Sequence, residues 1–418
     1  MSSSSICQKL YNLENRVKAL ENLNENENMT LTMKVGLLHS LTGTMALSET
    51  PVHQAALMAI DEINKNGGVK VGPHTTFIEP ITKDGESDPA VFKTKAQELI
   101  DQGVEAIFGC WTSSSRKAVQ EITETNKTLL FYPTQYEGEE CSRYTMYLGF
   151  SPNQQSIPAV QYFMEEHPSP VKDTFLVGSD YVYPRTSNEI TKKQLAEDYN
   201  QVVVGEEYLP LGEVSGIDSV LEKIKNALPT GGYIINTLNG DQNVSFFAGL
   251  KSKGLTAENG YYVMSFSISE QESESIGPEN LAGHYIASKC ISSLNTVKAS
   301  AYVSKTEARY GNDKPGDADE AIYTAMYLWK QAAEKTKSVD TDAVSQELRG
   351  MSFDAPQGLV QIRNNNHLQQ PLRIGLFNIT SKLEIVKEIQ DIEPKAWNLE
   401  KNFICDHSDP NKGEKYQF

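Results

Sequence analysis

Long apolar runs, positive charge and closely spaced cysteines are all scarce in this chain, and each shortage excludes something. No run of about eighteen apolar residues occurs in the 418, so no segment is suited to span a membrane as a helix. Lys and Arg number 38 against 55 Asp and Glu, a net charge of -17, which argues against nucleic acid and against an anionic membrane surface. The five cysteines (Cys7, Cys110, Cys141, Cys290, Cys405) form no Cys-x-x-Cys pair and no zinc spacing. Reduced thiols are the default expectation, with a Cys110–Cys141 disulfide as the alternative. The seven histidines lie in no triad or His-Glu-x-x-His signature, and the Gly-x-Ser-x-Gly elbow and the phosphate-binding Gly-x-x-x-x-Gly-Lys are both missing. An enzyme is therefore disfavoured, and no cofactor or metal is expected. Met1 to Lys9 carries no cationic region followed by an apolar one, so the expected location is the cytoplasm, or the periplasm or exterior if a signal has been removed.

What is present begins with a short amphipathic segment. Ile6, Leu10, Leu13, Val17 and Leu20 alternate spacings of four and three, and Lys9, Glu14, Arg16 and Glu21 flank that seam. Residues 1–30 are read as a coiled-coil-like helix and linker, with homo-oligomerisation through residues 6–20 as one expectation. A single helix packing on its own body is the other.

The rest alternates strands and helices. Met33 to Leu38 reads as a strand, Val52 to Asn66 as a helix stopped at Gly67-Gly68, Thr76 to Ile81 as a strand and Pro89 to Gln102 as a helix. Strands at Val104–Phe108 and Thr128–Phe131 enclose a helix from Arg116 to Thr125. A second series follows, with strands at Thr174–Gly178, Gln201–Gly205, Gly232–Asn236 and Tyr261–Ser265. Its helices are Arg185–Tyr199, Ile217–Ala227 and Gln242–Lys253, and a long helix at Ala318–Lys335 comes later. Alternation of this kind implies parallel sheets with right-handed crossovers. The expected fold class is α/β, two Rossmann-like lobes about a cleft with crossover strands between them. Residues 34–154 with about 283–350 would form one lobe, and about 155–282 with 351–418 the other.

The strand ends share one chemistry. Gly109-Cys110-Trp111-Thr112-Ser113-Ser114-Ser115 follows one strand and Tyr132-Pro133-Thr134-Gln135-Tyr136-Glu137-Gly138 the next. Gly178-Ser179-Asp180-Tyr181-Val182-Tyr183-Pro184, Asn236-Thr237-Leu238-Asn239-Gly240-Asp241 and Ser265-Phe266-Ser267 do the same in the second series. Taken singly, each is ordinary turn chemistry. Convergence of five at the carboxyl edges of two sheets, where α/β folds bind ligands, points to a small, neutral, polar molecule.

With Leu38-His39-Ser40-Leu41-Thr42-Gly43-Thr44, Ser151-Pro152-Asn153-Gln154-Gln155 and Phe353-Asp354-Ala355-Pro356-Gln357-Gly358, these loops resemble the type I periplasmic binding proteins. Within that class the chain is similar to the urea and short-chain-amide receptors of ABC transporters and to the cytoplasmic amide sensor of amidase operons. The resemblance implies a non-catalytic site that closes on its ligand. Trp111, Thr112, Ser113, Tyr132, Pro133 and Thr134 would lie on one lobe, and Asp180, Tyr181, Tyr183, Asn239, Asp241 and Ser265 on the other. Urea is the preferred ligand because its four N–H donors need several acceptors, with Asp241 and Asn239 among them. A formamide or acetamide sensor is the alternative, and an amide hydrolase the alternative of another class. The implied partner is an ABC permease or a regulatory protein.

Overall fold

The computed structural model describes residues 31–169, 173–380, 383–395 and 405–408; the amphipathic segment at 6–20 lies outside them. The first series gives β1 (Leu31–His39), α1 (Ala46–Lys65), β2 (Val69–Val71), β3 (His74–Asp84), α2 (Pro89–Asp101), β4 (Ala106–Gly109), α3 (Ser113–Asn126), β5 (Leu129–Tyr132) and β6 (Thr145–Tyr147). They form a six-stranded sheet in the order β2-β3-β1-β4-β5-β6, parallel except for β2. β4 and β5 are continuous apolar runs because helices cover both faces of such a sheet. Asp88 caps α2 by accepting from the amides of Ala90 and Val91, and Pro89 occupies the first helical position, where no N–H is needed.

The second series runs α4 (Ser156–Glu165), β7 (Thr174–Ser179), α5 (Val182–Tyr199), β8 (Gly205–Leu209), α6 (Ile217–Ala227), β9 (Gly232–Thr237), α7 (Gln242–Ser252), β10 (Tyr261–Ser265), α8 (Glu272–Ile276), α9 (Pro278–Leu281) and β11 (Tyr285–Ser288). The chain then returns to the first lobe through α10 (Val297–Tyr310), α11 (Asp317–Thr336), α12 (Thr341–Leu348) and the hairpin β12 (Ser352–Ala355) and β13 (Gly358–Ile362). It crosses back as β14 (Leu368–Phe377) and β15 (Leu383–Ile392), antiparallel strands that extend the second sheet beyond β11.

Buried residues of α11, among them Ala321, Ala325, Met326 and Trp329, complete the core over Val35, Leu37, Phe108 and Phe131. Three described stretches of the chain thus pass between the lobes, and two glutamines bind them together. The Gln154 side-chain amide donates to the Leu368 and Ile392 carbonyls at 2.9 and 3.1 Å, and that of Gln155 to Phe266 and Ala287 at 3.1 and 2.8 Å.

The structure shifts several expectations. β11 pairs with β10 in the second sheet, while Ala355, Val360 and Ile362 bury in the first core, so the late crossings fall near 289–296 and 363–367 rather than at 283 and 351. The strand expected at Gln201–Gly205 lies four residues later, at Gly205–Leu209. The valines that suggested it, Val202 and Val204, are exposed, while Glu206 and Glu207 sit on an edge strand, where carboxylates reach solvent. The cysteine expectations fail too. Cys141 is bonded to Cys405, which the chain brings beside it, while Cys110 is turned into the core under Tyr132 and Tyr136 and is free.

Buried carboxyls give the fold a pH dependence. Burial pushes Glu49 and Glu270 up to about 8, and Glu272 and Asp319 up to about 7. Each keeps its proton in the fold while the unfolded chain releases it, so the stability each contributes is lost as pH climbs from the ordinary carboxyl range to the raised value. Burial lowers His53, His284 and His367 to about 4 and His39 further below its usual range, an opposing contribution that ends once free histidine is neutral, above about pH 7. The melting temperature is therefore expected to fall between about pH 6.5 and 8. Differential scanning calorimetry across that range checks this; a rising or flat trend would contradict it.

Candidate functional site

The carboxyl ends of β4 and β5 build the first wall. Gly109 and Cys110, at φ 155° and 65°, swing the chain off β4 so that the Thr112 hydroxyl caps α3 by accepting from the Ser115 amide. Ser113, Ser114 and Ser115 lie inside the helix, which begins earlier than the expected Arg116. Trp111 is buried, and its carbonyl accepts from the Tyr132 hydroxyl at 2.5 Å and from the Thr134 hydroxyl at 2.9 Å. Pro133 is buried between those two donors.

Behind this wall lies a charge cluster that sequence reasoning left out of the site. Arg116 donates to Ser113 Oγ at 2.9 Å, to Glu137 Oε1 at 2.9 Å and to both oxygens of Glu140 at 3.0 and 2.8 Å. Ser113 in turn donates to Glu137 Oε2 at 2.5 Å. The guanidinium lies 4.8 Å from the Tyr132 ring centre and 4.7 Å from that of Tyr136, within cation–π range of both rings. Burial by itself would raise the Glu140 carboxyl, but Arg116 and Lys117 outweigh it and hold the group at about 2. The available signal was the run Tyr136-Glu137-Gly138-Glu139-Glu140, acidic residues following an aromatic strand end, with one arginine in the facing helix.

The second wall comes from β7 and β9. Tyr181 precedes α5, and Tyr183 lies in its first turn, not in a loop, with the two rings 6.4 Å apart. Burial raises the Tyr181 phenol, and nearby Tyr132, Tyr183 and Glu137 add to the rise. The Tyr183 hydroxyl meets Ser267 and Gln135. Asn239 is fixed by its amide, which donates to Ser179 Oγ at 3.0 Å, and by its side chain, which donates to the Thr237 carbonyl at 3.0 Å. Ser265 is buried and accepts from Asn236 at 3.0 Å, inside the second lobe.

Hydrogen bonds between described residues span the lobes. Trp111 Nε1 donates to Asn239 Oδ1 at 3.3 Å, Gln135 to Ser267 at 3.3 Å, Thr44 to Asp241 at 2.5 Å and Ser48 to Glu272 at 2.5 Å. The structure is thus the closed form. It brings Trp111, Ser113, Tyr132, Thr134, Tyr181, Tyr183 and Asn239 together. Asp180 and Asp241 do not join them. Asp180 is exposed and paired with Arg185 at 2.6 Å, and Asp241 sits exposed at the rim, holding Thr44. The carboxylate of the inner site is Glu137.

Comparison with known proteins places this geometry. A family model described as a periplasmic binding protein domain matches residues 33–402. A leucine-, isoleucine-, valine-, threonine- and alanine-binding protein of Pseudomonas aeruginosa is 31% identical over 112 residues, 27% of this chain and 29% of that relative, so the match spans less than a third of its length. A solute-binding protein of an ABC transporter from Rhodopseudomonas palustris, solved with 3,4-dihydroxybenzoic acid, superposes with a TM-score of 0.76 at 21% identity, covering 87% of this chain and 98% of that one. A branched-chain amino acid transporter substrate-binding protein of Streptococcus pneumoniae, solved with isoleucine, gives 0.73 at 19% identity over 86% and 99%. These structures share the two-lobed fold.

Proposed function

The chain belongs to the periplasmic binding protein family, and from that premise we propose that it binds a small neutral amide, urea first, between its lobes without chemically changing it. One observation carries this reading. The arginine of the first wall has four of its five N–H donors engaged by Ser113, Glu137 and Glu140. An aromatic or amino acid carboxylate would find no free guanidinium here to pair with, and an ammonium group would need a carboxylate not already shared with a guanidinium. A neutral ligand needs neither. What remains is rich in acceptors: the outer lone pairs of Glu137, and the hydroxyl oxygens of Tyr132, Tyr181 and Tyr183. Urea, with four N–H donors, uses more of them than acetamide, whose methyl would lie against hydroxyls. A donor buried without a partner costs about 1–3 kcal/mol.

Hydrolysis is disfavoured by the same cluster. Ser113 accepts an N–H from Arg116 on its oxygen, and Glu137, the base it donates to, is itself held by that guanidinium, so neither is free for nucleophilic attack. The named relatives bind amino acids or aromatic acids, and a permease partner follows from their transporter role. The Cys141–Cys405 disulfide favours an oxidising compartment over the cytoplasm.

The test is calorimetric titration with urea, formamide and acetamide beside leucine and 4-hydroxybenzoate. Saturable binding is expected for urea, weaker binding for the other amides and none for the two acids, with no ammonia released. Saturable binding of either acid, with none of urea, would overturn the reading.

A further inference from the structure

Where the 405–408 segment returns to the first lobe, three sulfur and nitrogen ligand atoms converge on one point. His407 Nε2 lies 3.5 Å from Cys405 Sγ and 3.6 Å from Cys141 Sγ, and the three ligand atoms all lie within 4.8 Å of one another. His407 and Cys141 are buried. The segment 405–408 is laid on the turn between β13 and β14. The His407 amide donates to the Asn364 carbonyl at 2.9 Å, and Cys405 Sγ lies 3.9 Å from that of Asn365. We propose that Cys141, Cys405 and His407 form a redox-gated metal site, a disulfide when oxidised and a Cys2His site for a zinc-class divalent cation when reduced.

The ligand chemistry selects the ion. Two thiolates and an imidazole suit zinc, with sulfurs about 2.3 Å and nitrogen about 2.0–2.1 Å from the metal, and leave a fourth tetrahedral position. Two cavities adjoin the cluster. One of ≈ 420 Å³ has His407, Asp342 and Arg349 in its wall, and one of ≈ 380 Å³ is lined by Cys405 and Asp406. They supply an entry path and room for a water at the fourth position.

The gating step balances with a dithiol as co-reactant. The dithiol gives two electrons to the Cys141–Cys405 bond and becomes a cyclic disulfide, leaving two protein thiols. The cation then displaces one proton from each thiol as both sulfurs bind it. In either state the 405–408 segment stays tied to Cys141, the residue after Glu140, so its anchorage does not depend on the redox poise of the surroundings.

The experiment uses the full chain, reduced with a phosphine without oxygen, freed of reductant and titrated with Co2+. One equivalent is expected to produce thiolate-to-cobalt charge-transfer absorption that Zn2+ abolishes, while the oxidised chain shows none. Cys141→Ser and Cys405→Ser should lose the band. His407→Ala should keep the thiols but weaken binding by about tenfold or more, since even an outer partner of a ligand is worth that much. Cys110→Ser and Cys290→Ser should leave it unchanged, as both are buried elsewhere. If the reduced chain unfolds, Zn2+ should restore its far-UV circular dichroism and raise its melting temperature, because a ligand of the folded form alone stabilises it. No charge transfer at one equivalent, its persistence in Cys405→Ser, or no zinc-dependent refolding of an unfolded reduced chain would each overturn the proposal.

Discussion

Replacing Arg116 with methionine is expected to cost about 3–5 kcal/mol of folding stability and to remove the response to urea. The side chain is wholly buried, and its guanidinium is the counter-charge for Glu137 and Glu140 together. Methionine fills similar volume but leaves both carboxylates without that counter-ion. Lys117, at 2.8 Å, still reaches Glu140, but Glu137 keeps only Ser113. Attraction between buried charges does little more than offset their desolvation, whereas stranding one carries the full penalty. Guanidinium chloride unfolding at pH 7 measures the loss, with urea avoided as denaturant because it is the proposed ligand. Adding Glu137→Gln to Arg116→Met should recover part of the stability but not the binding. A loss below about 1 kcal/mol for Arg116→Met would mean that the cluster is solvated, and the argument for a neutral ligand would fall with it.

Gly109→Ala is expected to cost about 4 kcal/mol or more, far outside the usual range for so small a change. A Cβ at Gly109 would stand 1.9 Å from the Leu38 carbonyl oxygen, which is backbone of the neighbouring β1 and cannot turn away. Relief requires β4 to separate from β1, which moves Trp111 and Thr112 off the first wall. The comparison is Gly311→Ala at the end of α10. Its φ of 68° lies in the left-handed region, which alanine tolerates better than the 155° of Gly109, and nothing lies within 4 Å of the new carbon, so only the left-handed backbone cost of about 1–2 kcal/mol applies. Melting temperatures of the two variants should therefore differ by several degrees in the same scan. Equal losses would show that backbone conformation, not the contact with Leu38, makes Gly109 necessary.

Much of the architecture was legible because parallel strands and covered helices write plain patterns. The helix at 217–227 was expected over the residues it occupies, and strands β9 and β10 within a residue at each end. Failures cluster where tertiary context decides. β8 went astray because an edge strand carries glutamates, and α10 was not expected at all, since its buried set of Ala299, Tyr302 and Thr306 is too thin a stripe to stand out. In the site, aromatic and hydroxyl residues at strand ends were readable from the order of motifs. The partnership of Arg116 with Glu137 and Glu140 was not, because its members lie 21 and 24 residues apart and look like ordinary surface charges until the fold buries them. Asp241 misled for the converse reason. A turn aspartate beside a site looks like a ligand group, and only the approach of Thr44 from the other lobe reveals a latch.

The late return of the chain to its first core has a consequence during synthesis. Phe108 and Phe131 stack at 4.5 Å and lie under the edge of Trp329, whose ring centre is 6.1 Å from that of Phe108. Trp329 leaves the ribosome roughly 180 residues after β6, which at ~5–20 residues per second is a delay of about ten to forty seconds. Throughout that interval the nascent first sheet has one apolar face covered by α1 alone, while the second lobe is being made and itself awaits β14. Neither lobe is a unit of folding that the ribosome can finish and set aside. The newborn chain is therefore a client for whatever holds exposed apolar surface in its cell, until the last strand is delivered.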